Sequence, residues 1–153
     1  MHKSLKVGDK LPFFVAKDQN GDEFSIETLI GKKILVIYFY PKDDTPGCTK
    51  QACFLRDHYV EFKDIGAEVI GISSDGAASH RKFIHKYDLP FILLSDADKK
   101  LRKLFGVKNI FLGLIPGRVT YVVDLNGIIQ MVFVDGNAAN HLELTVEKVK
   151  SLM

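Results

Sequence analysis

Both cysteines of the chain fall in one short stretch, PKDDTPGCTKQAC at 41–53, as Cys48 and Cys53. A thiol attacks or binds metal through its thiolate, so the local surroundings decide what such a residue can do. An apolar, strand-like run ends at Tyr40. Thr45 is then a good N-cap and Pro46 suits the first helical position. Gly47 and Cys48 follow at the second and third positions, in the first turn, where unpaired backbone N–H groups and the helix dipole favour an anion. The Thr45 hydroxyl is near enough in sequence to cap the helix or to contact the sulfur or a substrate oxygen. Pro41 stiffens the loop, and with Gly47 it is a candidate for shaping a pocket.

A helix over 45–65 puts Cys48, Ala52, Leu55, Tyr59 and Phe62 on one stripe, which turns Cys48 toward the core. Cys53 lies about 140° further round, with its Cα roughly 8–9 Å from that of Cys48. A disulfide tolerates at most about 7 Å. The two sulfurs therefore cannot bond while the helix is intact, and any bond between them requires the first turns to unwind. Such a pair suits a switch better than a structural clip.

Other chemistries compete for the same residues. A buried cysteine is often only a small core hydrophobe. A C-x4-C pair can contribute to a zinc site, but no C-x-x-C or matching histidine spacing completes one, and His58 stands alone. A thioredoxin-type dithiol needs C-x-x-C, which is absent. His80 and His85 are five apart on an expected helix and do not share a face. The segment GISSDG at 71–76 lacks a dinucleotide-binding glycine pattern.

The elements that must position these residues follow from periodicity and turn signals. Residues 13–16 and 23–25 flank Asn20-Gly21, a hairpin signal. KILVIYFY at 33–40 is a near-continuous apolar run and reads as a central strand buried on both faces. The helix over 45–65 stops at Gly66. A second buried strand covers 67–74, a helix 77–87, and a third strand opens the segment 89–96. A helix over 97–105 stops at Gly106. Residues 118–124 and 128–134 flank Asn126-Gly127 as a second hairpin. A final amphipathic helix over 141–152 carries Leu142, Leu144, Val146 and Val149. Strands alternating with helices, with a terminal hairpin, point to an α/β three-layer sandwich: a mixed sheet, helices on both faces and an N-terminal β-hairpin. With no repeats or linkers, one domain over 1–153 is expected.

At 46% hydrophobic and 26% charged, with a formal charge of +2, the chain has an ordinary globular composition and no electrostatic case for nucleic acid or a membrane surface. The N-terminal MHKSLKVGDKLPFF lacks a secretory pattern, and two thiols without a disulfide framework make the cytoplasm the default compartment, an organelle form shorn of its transit peptide being the alternative.

Pro41, Thr45 and Cys48 together form P-x-x-x-T-x-x-C, which resembles the signature of the peroxiredoxins. The fuller FYPKDDTPGCTKQAC is similar to the bacterioferritin-comigratory (PrxQ) subfamily. VGDKLPFF, GISSD, KYDLPFILLSD, FGV and PGRVTYVVD resemble family segments in the same order. The resemblance implies a thioredoxin-like fold and a cofactor-free peroxidase acting on hydrogen peroxide and organic hydroperoxides. Cys48 would be the peroxidatic nucleophile, oxidised to a sulfenic acid. Cys53 would resolve it as an intramolecular disulfide, and thioredoxin or a similar dithiol would restore both thiols. Arg118, by its place in PGRVTYVVD, would join Thr45 in binding and polarising the peroxide, although an arginine opening a strand is commonly a surface charge. Gln51 departs from a family position that often carries Glu and reads as a plain first-turn residue. The implied state is a monomer, with a dimer as the alternative. The run IFLGLI at 110–115 would line a substrate collar, form a partner surface or fill core. The Lys99–Lys103 basic cluster reads as a solvated helix face. The rivals are a thiol–disulfide oxidoreductase on the same fold and a thioredoxin-like binding module with incidental cysteines.

Overall fold

The computed structural model describes residues 4–153; the first three residues of the N-terminal stretch read for targeting signals lie outside them. Strand β3 (Ile34–Phe39) is buried at every position and forms the centre of the fold. It pairs in parallel with β4 (Ala67–Ser73), which pairs in parallel with β5 (Ile92–Ser95). On its other side β3 meets β8 (Val119–Val123) antiparallel, and β9 (Ile129–Val134) closes that edge. The N-terminal hairpin of β1 (Val15–Lys17) and β2 (Glu23–Ser25) completes the far edge, in the order β2-β1-β5-β4-β3-β8-β9.

Residues on a strand alternate between faces, and β3 divides its side chains accordingly. Ile34, Val36 and Tyr38 face one layer with α1 (Pro46–Asp57), α2 (Tyr59–Asp64), α3 (Ala77–Tyr87) and α5 (Ala139–Ser151). Leu35, Ile37 and Phe39 face the other, with α4 (Lys100–Phe105) and the buried Leu11, Phe14 and Ile26. This is the expected three-layer, thioredoxin-like arrangement.

Four local expectations change. The helix over 45–65 is two helices, broken at His58, whose φ of −98° and ψ of 0° leave the helical region. Its ring packs on Phe54 at 4.4 Å and contacts Glu61, while the apolar stripe continues across the break in Leu55 and Phe62. The helix expected from 97 starts only at Lys100, because Asp96 accepts the backbone N–H groups of Leu101 and Arg102. Arg102 is not a solvated charge: it is buried and bonds both the carboxylate and the carbonyl of Asp96. The last helix starts at Ala139 and buries His141, Thr145, Val146 and Val149, leaving Leu144 exposed.

The IFLGLI run fills no core. It forms a small hairpin of β6 (Asn109–Ile110) and β7 (Ile115–Pro116), and its tip exposes Phe111, Leu112 and Leu114.

Candidate active site

The loop leaving β3 is held at its base before it reaches the cysteine. Asp43, almost wholly buried, accepts hydrogen bonds from Tyr40 Oη at 2.5 Å, Ser79 Oγ at 2.8 Å and His80 Nδ1 at 2.7 Å. Its own N–H donates to Asp75 Oδ2, and His80 Nε2 faces the Leu94 carbonyl at 3.0 Å. Burial first, then the Asp43 charge, pushes the Tyr40 hydroxyl well above its usual range, so it remains a donor. Asp44, in the left-handed region at φ 58°, is tied to Lys86 and Tyr87 of α3, and those bonds hold its carboxyl below the usual range. The loop that carries Pro41 and Thr45 is thus fastened to α3 at two consecutive aspartates.

Thr45 occupies the N-cap position and Pro46 opens α1, as expected. The Thr45 side chain does not cap the helix, however. Its hydroxyl donates to the Lys42 carbonyl at 2.9 Å, which leaves the oxygen able to accept. Pro41 is half-buried at the exit from β3. Cys48 lies in the first turn of α1, buried to 1% exposure and facing the sheet, while Cys53 is half-buried on the same unbroken helix. Both thiols are free.

Strand register brings the arginine to the sulfur. Phe39 pairs with Val119, so Arg118 stands beside the end of β3 from which the cysteine loop departs. Arg118 is 6% exposed and every nitrogen of its guanidinium is engaged. Nε donates to the Gly136 carbonyl at 3.2 Å, Nη1 to Gln51 Oε1 at 2.8 Å and Nη2 to Cys48 Sγ at 3.3 Å. Gly47 gives this group room: a Cβ there would stand 3.2 Å from Nη2 and 3.7 Å from the Ala138 Cβ. A planar fork of fixed donors beside a sulfur can hold a thiolate and, next to it, the oxygens of a small oxidant.

Gln51 is a correction. It is 1% exposed, and its amide joins Arg118 to Thr120, whose Oγ lies 3.4 Å from Nε2. Beyond it, Thr120 Oγ meets His141 Nδ1 at 2.8 Å. Gln51, Thr120, His141, Asp43 and His80 were all missed as site components. For Gln51, Thr120, His80 and His141 the available signal was polarity within an expected strand or helix that packs on the core; Asp43, in the loop between β3 and α1, carried no such signal. Tyr38 points to the same layer as Cys48, and burial first, then the charges of Cys48 and Asp43, pushes its hydroxyl well above the usual range. Among the described residues no group of three or more His, Cys, Asp or Glu is placed to hold a metal, and no helix is long and apolar enough to cross a membrane.

Comparison with known proteins places the chain in a family. The family model described as AhpC/TSA matches residues 7–132. The protein from Sedum lineare named "Peroxiredoxin Q, chloroplastic" is 49% identical over 146 residues, covering 95% of this chain and 78% of its own length. The crystal structure of peroxidoxin BcpB from Mycobacterium tuberculosis superposes with a TM-score of 0.89 at 32% identity, covering 97% of this chain and 99% of that one. Xanthomonas campestris bacterioferritin comigratory protein, whose structures are described in terms of alkyl peroxide reduction, superposes at 0.81 with 30% identity over 90% of each chain. From the family match, these relatives and the shared fold, the chain belongs to the AhpC/TSA family, in its peroxiredoxin Q branch.

Proposed function

We propose that this peroxiredoxin reduces hydrogen peroxide and organic hydroperoxides by a cycle confined to one helix and one arginine. The Cys48 thiolate attacks the nearer oxygen of the O–O bond. The sulfur gains that oxygen as a sulfenic acid, and the far oxygen leaves with the electron pair and is protonated to water or an alcohol. Arg118 and the Thr45 hydroxyl hold the peroxide and meet the developing charge. Once the start of α1 unwinds, the Cys53 thiolate displaces hydroxide from the Cys48 sulfur, forming the disulfide and releasing water. A dithiol such as thioredoxin then takes over the disulfide by two exchanges and returns both thiols.

The observation that carries this reading is the buried Cys48 Sγ at 3.3 Å from Arg118 Nη2, in a helix first turn with Cys53 five residues on. Small hydroperoxides fit a sulfur with so little exposed surface, and the alkyl peroxide reduction described for the Xanthomonas relative supports the organic substrates. Pro41 and Gly47 shape the entrance. Both cysteines lie on one chain, so the cycle needs no second subunit and the assigned state is a monomer. The compartment assigned is the cytoplasm, whose reductants keep such thiols free; the Sedum relative's name places that protein in the chloroplast.

The test is peroxide consumption with thioredoxin and its reductase. Wild type turns over, Cys48→Ser does not, and Cys53→Ser consumes one equivalent and stops. Full turnover by Cys48→Ser would exclude the mechanism.

A further inference from the structure

Arg118 reaches the sulfur with one nitrogen while another rests on the amide oxygen of Gln51, and that amide can present its oxygen only if something fixes its orientation. The fixing group can be traced through the hydrogen bonds. His141 Nε2 faces the backbone carbonyl of Asp135 at 2.7 Å. A carbonyl only accepts, so Nε2 carries the proton, and in the neutral ring Nδ1 is an acceptor. Thr120 must then donate its hydroxyl proton to Nδ1, across 2.8 Å. Its oxygen is left to accept, which draws the NH2 of Gln51 toward it and turns Oε1 to Arg118 Nη1. The polarity of the chain His141–Thr120–Gln51–Arg118 is thus set at one end by the Asp135 carbonyl, which only accepts, and at the other by the guanidinium, which only donates.

We propose that His141 and Thr120 are positioning residues for the peroxide step, locking the Gln51 amide so that Arg118 is held against Cys48. A second proton on His141 would make Nδ1 a donor. Thr120 would then have to accept it, its own proton would be freed to compete with the Gln51 NH2 at the shared contact, and an amide reversed to meet that proton would set NH2 against the guanidinium. The locked arrangement therefore belongs to the neutral ring. Burial first, aided by the Arg118 charge and opposed by the bond to Asp135, holds His141 below the ordinary histidine range, which keeps the ring neutral at physiological pH. The groups facing it are few. Arg118 approaches from β8 and Cys48 lies beyond Arg118 on α1. Phe133 of β9 packs edge-on at 4.8 Å. The Asp135 carboxylate is engaged by the Asn137 N–H and the Asn140 amide. Glu143 and Glu147 of α5 are solvent-exposed.

The inference rests on the proposed peroxidase role of Arg118, so the test compares two reactions of the same sulfur. Single-turnover oxidation by hydrogen peroxide needs the thiolate and a placed arginine, whereas alkylation by iodoacetamide needs only the thiolate. In wild type the ratio of the two rates is level at neutral pH and falls in acid as His141 charges. In Thr120→Val the ratio is lowered about tenfold at neutral pH, the cost of losing one hydrogen bond in the chain, and no longer varies with pH. His141→Leu behaves the same way. His141→Asn keeps an acceptor at the Nδ1 position and recovers most of the ratio, without the acid fall. The asparagine variant also keeps the proposal testable should the valine variant not fold. A ratio unchanged in Thr120→Val, or an acid fall that survives in His141→Asn, would overturn the relay. Failure of wild type to react with peroxide at all would instead remove the peroxidase reading on which it stands.

Discussion

Replacing Lys50 tests whether unwinding of α1 controls the second chemical step. Lys50 is exposed, lies between the two cysteines on a helix that is continuous from Pro46 to Asp57, and so can be changed without touching the sulfur or Arg118. With the helix formed, the cysteine Cα atoms stand roughly 8–9 Å apart, too far for a disulfide. Resolution must therefore draw on a population in which the start of the helix is open. Glycine at an exposed helical position costs about 1 kcal/mol relative to alanine. If opening is a rapid pre-equilibrium, Lys50→Gly raises the open population about fivefold over Lys50→Ala, because about 1.4 kcal/mol corresponds to a factor of ten. The assay mixes each reduced variant with one equivalent of hydrogen peroxide, quenches in acid and follows the sulfenic and disulfide forms by intact mass. Cys48 oxidation should be equal in the two variants, and disulfide formation about fivefold faster in Lys50→Gly. Equal disulfide rates would refute unwinding as the gate to resolution.

Gly47→Val should slow oxidation of Cys48 at least about tenfold, since even its Cβ would stand 3.2 Å from Arg118 Nη2; a wild-type rate in stopped-flow oxidation would contradict the packing. Asp43→Ala leaves Tyr40, Ser79 and His80 without their shared buried acceptor, a loss of about 3–5 kcal/mol in urea unfolding. A loss under about 1 kcal/mol would mean that Asp43 is not the anchor of the loop. The depressed His141 value also links stability to pH. The unfolded chain takes up this proton first as pH falls below about 6.5, so stability is whole above that pH and declines as pH drops through the lower native value. Urea midpoints should therefore fall more steeply between neutral and mildly acidic pH in wild type than in His141→Asn, and parallel curves would show that the histidine is not buried as described.

What could be read from local sequence was what local physics decides. The near-continuous apolar run at 33–40, short and rich in β-branched and aromatic residues, reads as a strand covered on both faces, and β3 is that strand. The two Asn-Gly hairpins carry their own turn signals, and the helix over 77–87 forms with the expected bounds. The break at His58 has no glycine or proline to announce it and leaves the apolar stripe in phase, so periodicity passes straight over it. Polar residues inside the core were hidden for a different reason: their partners are far away in sequence. Arg118 meets Cys48 across 70 positions and Gln51 across 67, and Gln51 meets Thr120 across 69. Without the family pattern Arg118 reads as a surface charge, and so does Arg102, which Asp96 encloses.

The most direct test of the central claim is intact-mass analysis with peptide mapping of the reduced protein after one equivalent of hydrogen peroxide. The mechanism predicts rapid loss of two hydrogens, mapped to a Cys48–Cys53 disulfide that thioredoxin reverses. Thiols still reduced after minutes, or oxidation that begins at Cys53 in the Cys48→Ser protein, would contradict it.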